Sequence, residues 1–406
     1  MSIRIRNARV VSPNPAATRG PGRLVVRENA DVIAEADRIV AVEPSGRDAS
    51  ASKHVVDIDA RGRVLMPGFV DCHTHACFAG DRLDEWRMKL AGASYLDILA
   101  SGGGIMSTVR AVRSASEQCL AADLAARLSR MLALGTTTAE VKSGYGLTPD
   151  AELKMLRAIR DAARGSPMRI VPTALIGHAI DPERDRAVYI EEAITVTLPR
   201  VAREFPGIIA DAFVEGSAWT LPEALSLFDA AASLGLACRV HADQFNSLGM
   251  IPEAIRRGFV SVDHLEATSQ GDLKALAEST TFGVMLPCCG FHLDGRFADG
   301  RSFIDAGGRL AIATNYNPGS APCFSVPTAI ALAVRHCGLT PSEAIIGATR
   351  RGAELLGLTD RGCVEPGMSA DLVLLEHRDE RALAYEFGGD PVGVVVVAGQ
   401  MVKRRG

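Results

Sequence analysis

Two histidines, His73 and His75, carry the clearest chemical signal in this 406-residue sequence. They follow the apolar run Val64–Asp71, which is typical of a buried strand. Side chains two residues apart point to the same side of a strand. The two imidazoles can therefore bind one divalent cation together. If this strand opens a barrel, the cation would lie at the barrel's C-terminal mouth.

Other polar side chains also follow predicted strands. Five of the nine histidines lie at or just past the end of such a strand, namely His73, His75, His178, His241 and His264. A single histidine in this position is ordinarily a hydrogen-bonded structural residue. Three imidazoles in one barrel mouth, from His73, His75 and His241, instead favour a metal-centred site.

Short apolar strands alternate with helical stretches through the middle of the chain, and this pattern predicts a (β/α)₈ TIM-type barrel. Two helix starts, Thr220–Glu223 and Thr340–Glu343, fit the capping box. A doubly wound open sheet is the alternative, disfavoured because no Gly-x-Gly-x-x-Gly follows the first strand. The eight predicted strands are Val64–Asp71, Thr136–Val141, Met168–Ile176, Ile208–Val214, Leu236–His241, Phe259–Asp263, Thr281–Leu286 and Arg309–Thr314.

Both ends of the chain are also rich in predicted strands. They predict a small β-sandwich domain built from residues 1–65 and 366–406, with the barrel spanning residues 66–365. The predicted strands are Ile3–Val11, Asp31–Pro44, His54–Asp59, Ala370–Leu375 and Val392–Val397.

The composition restricts the classes of function. A net charge of -4 gives no basic surface for nucleic acid. The N-terminus lacks an apolar signal core, and no apolar run approaches the roughly 20 residues that span a membrane. Nine cysteines, without close-set pairs at zinc-ribbon spacing, favour reduced thiols in a cytoplasm. We therefore expect a soluble cytoplasmic protein that acts on a small molecule, without nucleic acid or membrane partners.

Several segments together resemble the amidohydrolase superfamily, and more narrowly the imidazolonepropionases of histidine degradation. The His-x-His motif is shared across the superfamily, whereas Gly102–Ile105 and Lys142–Leu147 are more specific to the imidazolonepropionases. The resemblance runs nearly from end to end, and its main segments are Pro67–His75, Phe78–Arg82, Gly102–Ile105, Glu140–Leu147, His241–Asp243, Val262–Glu266 and Asn317–Ser320.

The resemblance implies hydrolytic ring opening of 4-imidazolone-5-propanoate to N-formimidoyl-L-glutamate at one zinc or iron ion, in a homodimer. The implied metal ligands are His73, His75 and His241. His264 would orient or deprotonate the attacking water, or stabilise the developing oxyanion. The implied substrate-binding residues are Arg82, Tyr145, His178, Asn317, Gly319 and Ser320.

Two residues depart from the family's pattern. Gln244 replaces a glutamate that is a candidate acid or base, and Asn315 replaces an aspartate that ligates the metal. Gln244 can still hydrogen-bond an imidazolone ring, but it cannot accept a proton. Asn315 can still offer a neutral oxygen to the metal, without basicity.

These departures leave three hypotheses. The first is a variant imidazolonepropionase in which His264 or His178 accepts the proton. The second is a related amidohydrolase that acts on another carboxylate-bearing cyclic amide. The third is a metal-poor homologue that binds a ligand without turnover. The joint presence of Arg82, Tyr145 and His178 favours the first hypothesis, because these residues would hold its substrate.

Overall fold

The computed structural model of the chain describes residues 2–14, 16, 22–46, 55–92 and 102–405. Its first five strands all belong to one sheet. They are β1 (Ser2–Pro13), β2 (Leu24–Glu35), β3 (Arg38–Pro44), β4 (Val55–Asp59) and β5 (Val64–Pro67).

The predicted single strand Asp31–Pro44 is wrong, because the chain turns back within it. Ala36 has a φ of 52°, a left-handed conformation that tight hairpin turns use. Glu35 pairs with Arg38 across this turn, so the segment forms the end of β2 and all of β3. The predicted strand at residues 54–59 is confirmed over Val55–Asp59, and its first residue lies outside the described residues.

The middle of the chain forms eight parallel strands that follow one another in sequence order, which confirms the predicted (β/α)₈ barrel. Almost all of their residues are buried, as expected where helices cover a parallel sheet. The strands are β6 (Phe69–Asp71), β7 (Thr136–Lys142), β8 (Arg169–Gly177), β9 (Ile209–Val214), β10 (Cys238–Ala242), β11 (Ser261–His264), β12 (Phe282–Met285) and β13 (Leu310–Ile312).

The first predicted barrel strand is in fact two strands, β5 and β6, separated by Gly68. β5 pairs with strands of the terminal sheet, whereas β6 pairs with β7 of the barrel. A Cβ atom at Gly68 would lie 2.2 Å from Thr137 Oγ1, so only glycine fits this crossing point. The chain therefore passes from one sheet to the other at Gly68.

The barrel closes between β13 and β6 through residues at the ends of these strands and just beyond them. The Thr314 main-chain N–H donates to Asp71 Oδ1 at 3.1 Å, and the Thr314 hydroxyl donates to Asp71 Oδ2 at 2.6 Å. The Asn315 N–H donates to the His73 carbonyl oxygen at 3.1 Å. These bonds hold the segment that carries His73 beside the segment that carries Asn315.

Helices surround the barrel. Both predicted capping boxes are confirmed, at Thr220 with Glu223 and at Thr340 with Glu343. The α-helices are Leu83–Leu90, Ile105–Ser114, Glu117–Ala133, Pro149–Arg164, Arg186–Glu192, Leu198–Glu204, Leu221–Ser233, Met250–Arg256, Gln270–Glu278, Pro287–Leu293, Gly300–Asp305, Val326–His336, Pro341–Ile346, Gly352–Leu355 and Ala382–Tyr385, with π-helical turns at Ala193–Thr197 and Gly347–Arg351. Within the described ranges, no helix is long and apolar enough to cross a membrane.

The C-terminal strands β14 (Leu372–Leu375), β15 (Val392–Val397) and β16 (Gln400–Arg404) join β1–β5 in one mixed eight-stranded sheet. This terminal sheet confirms the predicted small β-domain built from both chain ends. Alternate residues of its central strands face different cores. Leu65 packs in the sheet's own apolar core, whereas Val64 packs with the barrel core. The exact division at residues 65/66 and 365/366 stays a prediction.

Candidate metal centre

Three buried histidines converge at the C-terminal mouth of the barrel. His73 and His75 follow β6, and His241 lies in β10. His75 Nε2 lies 3.3 Å from His73 Nε2 and 3.3 Å from His241 Nε2. Such short separations between nitrogens suit a common metal ion with metal–nitrogen bonds of about 2.0–2.1 Å.

Two of these imidazoles are held by carboxylates. Asp263 Oδ2 lies 2.6 Å from His73 Nδ1, and Asp211 Oδ1 lies 3.1 Å from His241 Nδ1. An ionised carboxylate can only accept, so each Nδ1 carries the proton and each Nε2 presents a lone pair. Burial lowers the pKa of His73, His75 and His241 below the ordinary value. All three are therefore neutral, which is the form that binds a metal.

Buried cations in turn hold the carboxylates. Lys142 Nζ donates to Glu140 Oε1 at 2.7 Å and to Asp211 Oδ2 at 2.9 Å. Arg239 donates to Glu140 at 3.3 Å and also pairs with Asp263. Burial alone would raise the pKa of Asp211, but His241 and Lys142 outweigh it, and the net shift is downward. The network therefore keeps Asp211 ionised and fixes the orientation of His241.

Asn315 lies buried beside this centre, at the position where the resemblance implies an acidic ligand. Its φ of 56° is left-handed, and its N–H is bonded to the His73 carbonyl. Asn315 Oδ1 is buried and has no hydrogen-bond partner among the described residues. Such an oxygen is costly to bury unless something binds it. Three neutral imidazoles and one orphaned amide oxygen thus fit a bound metal ion.

His264 and Gln244 also lie at this mouth. The His264 ring centroid is 5.7 Å from that of His241 and 6.1 Å from that of His73. His264 Nδ1 lies 3.1 Å from Glu266 Oε1, and its φ of 94° is unusual for a side-chain-bearing residue. The Gln244 amide donates to Cys289 Sγ at 3.3 Å.

Tyr145 and His178 lie against the His75 ring. The His178 ring stacks on the His75 ring with centroids 5.1 Å apart, and Tyr145 is 5.0 Å from His178. His178 Nδ1 donates to the Gly144 carbonyl at 2.9 Å. Burial lowers the pKa of His178 to about 3 and raises that of Tyr145. Both side chains are therefore neutral and able to hydrogen-bond a ligand.

Three of the predicted substrate-binding residues lie apart from the histidines. Arg82, Asn317 and Gly319 line a cavity of about 700 Å³, together with aromatic side chains such as Trp86 and Phe245. None of the five clustered histidines lines this cavity. It nevertheless adjoins the centre, because Asn317 Nδ2 donates to the Asn315 carbonyl at 2.7 Å.

The hydrogen bonds refine the roles of these residues. Asn317 Oδ1 accepts from the main-chain N–H groups of Gly319 and Ser320, at 2.8 and 2.7 Å. Asn317 Nδ2 donates to Ser320 Oγ at 2.8 Å, so the Asn317 amide shapes the turn. Arg82 pairs with Glu85, so a substrate carboxylate would have to compete with Glu85 for the guanidinium.

Sequence reasoning missed the residues that support the histidines. Asp211 and Arg239 lie inside strands whose other residues are mostly apolar and buried. A charged residue within such a strand is a usable signal, since it needs a buried partner of opposite charge. Cys289 gave no comparable signal, because a buried cysteine ordinarily behaves as a small apolar residue.

The fold and the site together define an amidohydrolase. A family model described as "Amidohydrolase family" matches residues 64–402. The chain also resembles solved structures, including a triazine hydrolase variant with a TM-score of 0.73 and 20% identity, which covers 99% of this chain and 95% of that chain. An adenosine deaminase from Xanthomonas campestris with bound zinc has a TM-score of 0.71 and 19% identity, covering 99% and 93%. At these identities the likeness establishes the fold.

Relatives with higher sequence identity show which family of amidohydrolases the chain belongs to. The imidazolonepropionase of Rubrobacter xylanophilus is 43% identical over 97% of this chain and 96% of that protein. The imidazolonepropionase of Deinococcus radiodurans is 43% identical over 97% of each. The chain therefore belongs to the imidazolonepropionase family of the amidohydrolases.

Proposed function

We propose that the chain opens the ring of 4-imidazolone-5-propanoate by hydrolysis, giving N-formimidoyl-L-glutamate in histidine degradation. The observation that carries this proposal is the convergence of three neutral imidazoles beside a cavity lined by Arg82. The identity of about 40% to curated imidazolonepropionases supports the same reaction. The enzyme is thus a hydrolase of a carbon–nitrogen bond in a cyclic amide.

His73, His75 and His241 would hold one zinc or iron ion, with Asn315 Oδ1 as a neutral fourth ligand. Imidazole nitrogens suit both metals. A divalent ion held there would supply Lewis-acid polarisation of the carbonyl and a lowered pKa for an attacking water.

The chain's own residues supply the other parts of the reaction. The Arg82 guanidinium binds the propionate, for which its planar fork is suited. Tyr145 and His178 hold the ring by hydrogen bonds from the His75 side, and Gln244 does so from the opposite side. Asn317 holds the turn that carries Gly319 and Ser320, which forms the far wall.

His264 moves the proton, because neither Gln244 nor Asn315 can accept one. Its Nδ1 is bonded to Glu266, which leaves Nε2 free to accept the proton of the attacking water. His264 then delivers this proton to the ring nitrogen that leaves. Glu266 acts as a positioning residue, since it fixes the orientation of the imidazole.

We also propose a homodimer that acts in the cytoplasm on a small molecule, without nucleic acid or membrane partners. All nine cysteines are free thiols, as a reducing compartment requires. The net charge of -4 does not favour binding to nucleic acid. Sedimentation of the purified chain would measure its oligomeric state.

Metal analysis combined with a turnover assay tests the proposed function. We expect about one zinc or iron per chain at the histidine trio and hydrolysis of imidazolone propionate, with both lost in His241→Ala. His336→Ala is the matched control, because His336 stacks on Phe297 instead of joining the centre. If the chain binds metal but hydrolyses a different cyclic amide, the proposed substrate is wrong. Ligand binding without metal or turnover would overturn the enzymatic role.

A further inference from the structure

A second group of metal-type donors lies beside the histidine trio. A nitrogen of His264, a carboxylate oxygen of Glu266 and Sγ of Cys289 all lie within 4.8 Å of one another. Nitrogen, oxygen and sulfur donors of this kind are the ones that zinc accepts in proteins. This group shares no residue with the trio.

The Glu266 carboxylate indicates a missing partner at this point. Its side chain is only 6% exposed, and Oε1 faces His264 Nδ1 at 3.1 Å. Its other oxygen, Oε2, is buried and has no hydrogen-bond partner among the described residues. Leaving a buried acceptor of a charged group unsatisfied costs free energy. A cation bound between Glu266 and its neighbours would remove this cost.

The Cys289 thiol lies among hydrogen-bond donors. The Gln244 amide donates to Cys289 Sγ at 3.3 Å. The Asn315 and Ser320 side chains act to lower the pKa of this thiol, against the larger effect of burial. Burial raises the pKa of Cys289, so the metal-free residue is a neutral thiol. The surrounding donors would stabilise a thiolate once a cation is present. Gln244 and Asn315, the two departures from the family's pattern, thus both favour the thiolate form of this cysteine.

We propose that His264, Glu266 and Cys289 form a second metal site, for a thiophilic divalent ion such as zinc. A carboxylate and a thiolate together balance the charge of the ion, and the thiol proton leaves to solvent as the sulfur–metal bond forms. Tetrahedral zinc needs donors about 3.3–3.8 Å apart, so small side-chain rotations complete the site. The fourth position stays open for water.

Occupation of this site has a consequence that rests on the proposed function. An ion bound to His264 and Glu266 removes the pair that we assign to proton transfer. Zinc in excess of one equivalent therefore inhibits hydrolysis. Cys289 supplies the ligand that makes this second binding selective for thiophilic ions.

Cobalt titration of the metal-free full-length protein tests the second site. The wild type should take up two ions per chain and show a thiolate-to-cobalt charge-transfer absorption. Cys289→Ser should take up one ion and lose that absorption. Cys119→Ser, which removes the exposed thiol, should behave as the wild type does. Saturation of the wild type without the charge-transfer absorption, or an unchanged absorption in Cys289→Ser, would overturn the proposal.

Two further variants separate this site from the trio. His241→Ala should lose one ion but keep the charge-transfer absorption. The absorption therefore tests the second site even if the proposed function is wrong. Glu266→Gln is nearly isosteric and covers the case in which Cys289→Ser does not fold. It should weaken uptake of the thiolate-bound ion, and unchanged uptake would count against the site. Equal inhibition of wild type and Cys289→Ser by excess zinc would overturn the inhibitory role.

Discussion

With Asn315 as the proposed fourth ligand, the histidine trio has neutral donors only. A single carboxylate at this position would cancel half of the charge of a divalent ion, and the amide cancels none. The nearest acids, Asp211 and Asp263, are already paired with Lys142 and Arg239. The electrostatic field at the trio therefore depends strongly on this one side chain.

Asn315→Asp should raise the affinity of the trio for zinc, since it adds a negative charge beside three neutral donors. We expect a gain of about tenfold or more. Competition with a chelator measures the affinity directly. Gln270→Glu, which adds the same charge on the exposed surface, should leave it unchanged. Equal affinities for wild type and Asn315→Asp would show that this side chain is not a ligand.

Arg82→Ala should raise KM for a carboxylate-bearing substrate while changing kcat less, because the proposed contact of the guanidinium is with a part of the substrate that does not react. A charged hydrogen bond contributes about 1.5–3 kcal/mol, so KM should rise about 10- to 150-fold. Steady-state kinetics give both constants. Arg87→Ala, on the helix that follows Arg82 and with an exposed side chain, is the control. An unchanged KM would exclude Arg82 from carboxylate binding.

His178 makes the stability of the metal-free protein depend on pH. Its pKa is about 3 in the folded chain, below the ordinary 6.5, because burial disfavours the charged ring. The unfolded chain takes up this proton below the ordinary pKa, whereas the folded chain does not. Stability is therefore lost as the pH falls from about 6.5 towards 3.

His178→Gln should weaken this pH dependence, since glutamine keeps an N–H donor for the Gly144 carbonyl but does not titrate. Thermal unfolding of the metal-free wild type and variant at about pH 7 and pH 5 measures the difference. The other buried histidines still titrate, so the slope should become smaller without vanishing. If Tm falls equally in the two proteins between about pH 7 and pH 5, the pH dependence does not come from His178.

Among the elements, β7 and β10 carry charged side chains into the barrel interior. Lys142 is the last residue of β7, and its Nζ donates to Glu140 of the same strand and to Asp211 of β9. Removing one member of a buried ionic group leaves its partners uncompensated, which is more costly than losing a surface pair.

Lys142→Met should destabilise the fold by about 3–5 kcal/mol, since Glu140 and Asp211 lose their shared cation. It should also weaken metal binding, because Asp211 orients His241. Denaturant unfolding and chelator competition measure the two effects. Lys274→Met is the control, as this side chain is exposed on a helix. A loss no larger than that of the control would show that the buried pairs contribute little.

The barrel strands also show which parts of the site a sequence can predict. His73, His75 and His241 were predictable because parallel strands of a barrel all end at one mouth, so position along a strand fixes position in space. The pairing of Asp211 with Lys142 joins separate strands, and no local pattern encodes which partner each one meets. The hairpin at Ala36 was missed because alanine rarely adopts a positive φ.

At the scale of the whole molecule, Gly68 joins the terminal sheet to the barrel. Its N–H donates to the Asp371 carbonyl at 2.9 Å, while an added Cβ would meet the Thr137 side chain in β7. Three parts of the chain that are distant in sequence thus meet at one residue. The relative placement of the two sheets depends on this contact.

Gly68→Ala should lower stability by about 1–3 kcal/mol or more, because the methyl group overlaps Thr137. Adding Thr137→Ala removes the two nearest atoms and should restore part of the loss. Gly165→Ala is the control, since its Cβ would meet nothing closer than 3.9 Å. Thermal unfolding measures all four proteins. A Gly68→Ala variant as stable as the control would show that the junction can adjust without cost.

The central position of β5 in the terminal sheet also sets an order of events during synthesis. One edge of β5 pairs with β1, which precedes it, and the other pairs with β14, near the end of the chain. Until the ribosome has released Leu372–Leu375, the apolar segment Val64–Pro67 presents an open edge. Such an edge can pair with another nascent chain. β5 therefore lacks its second partner strand until residues 68–371 have been made.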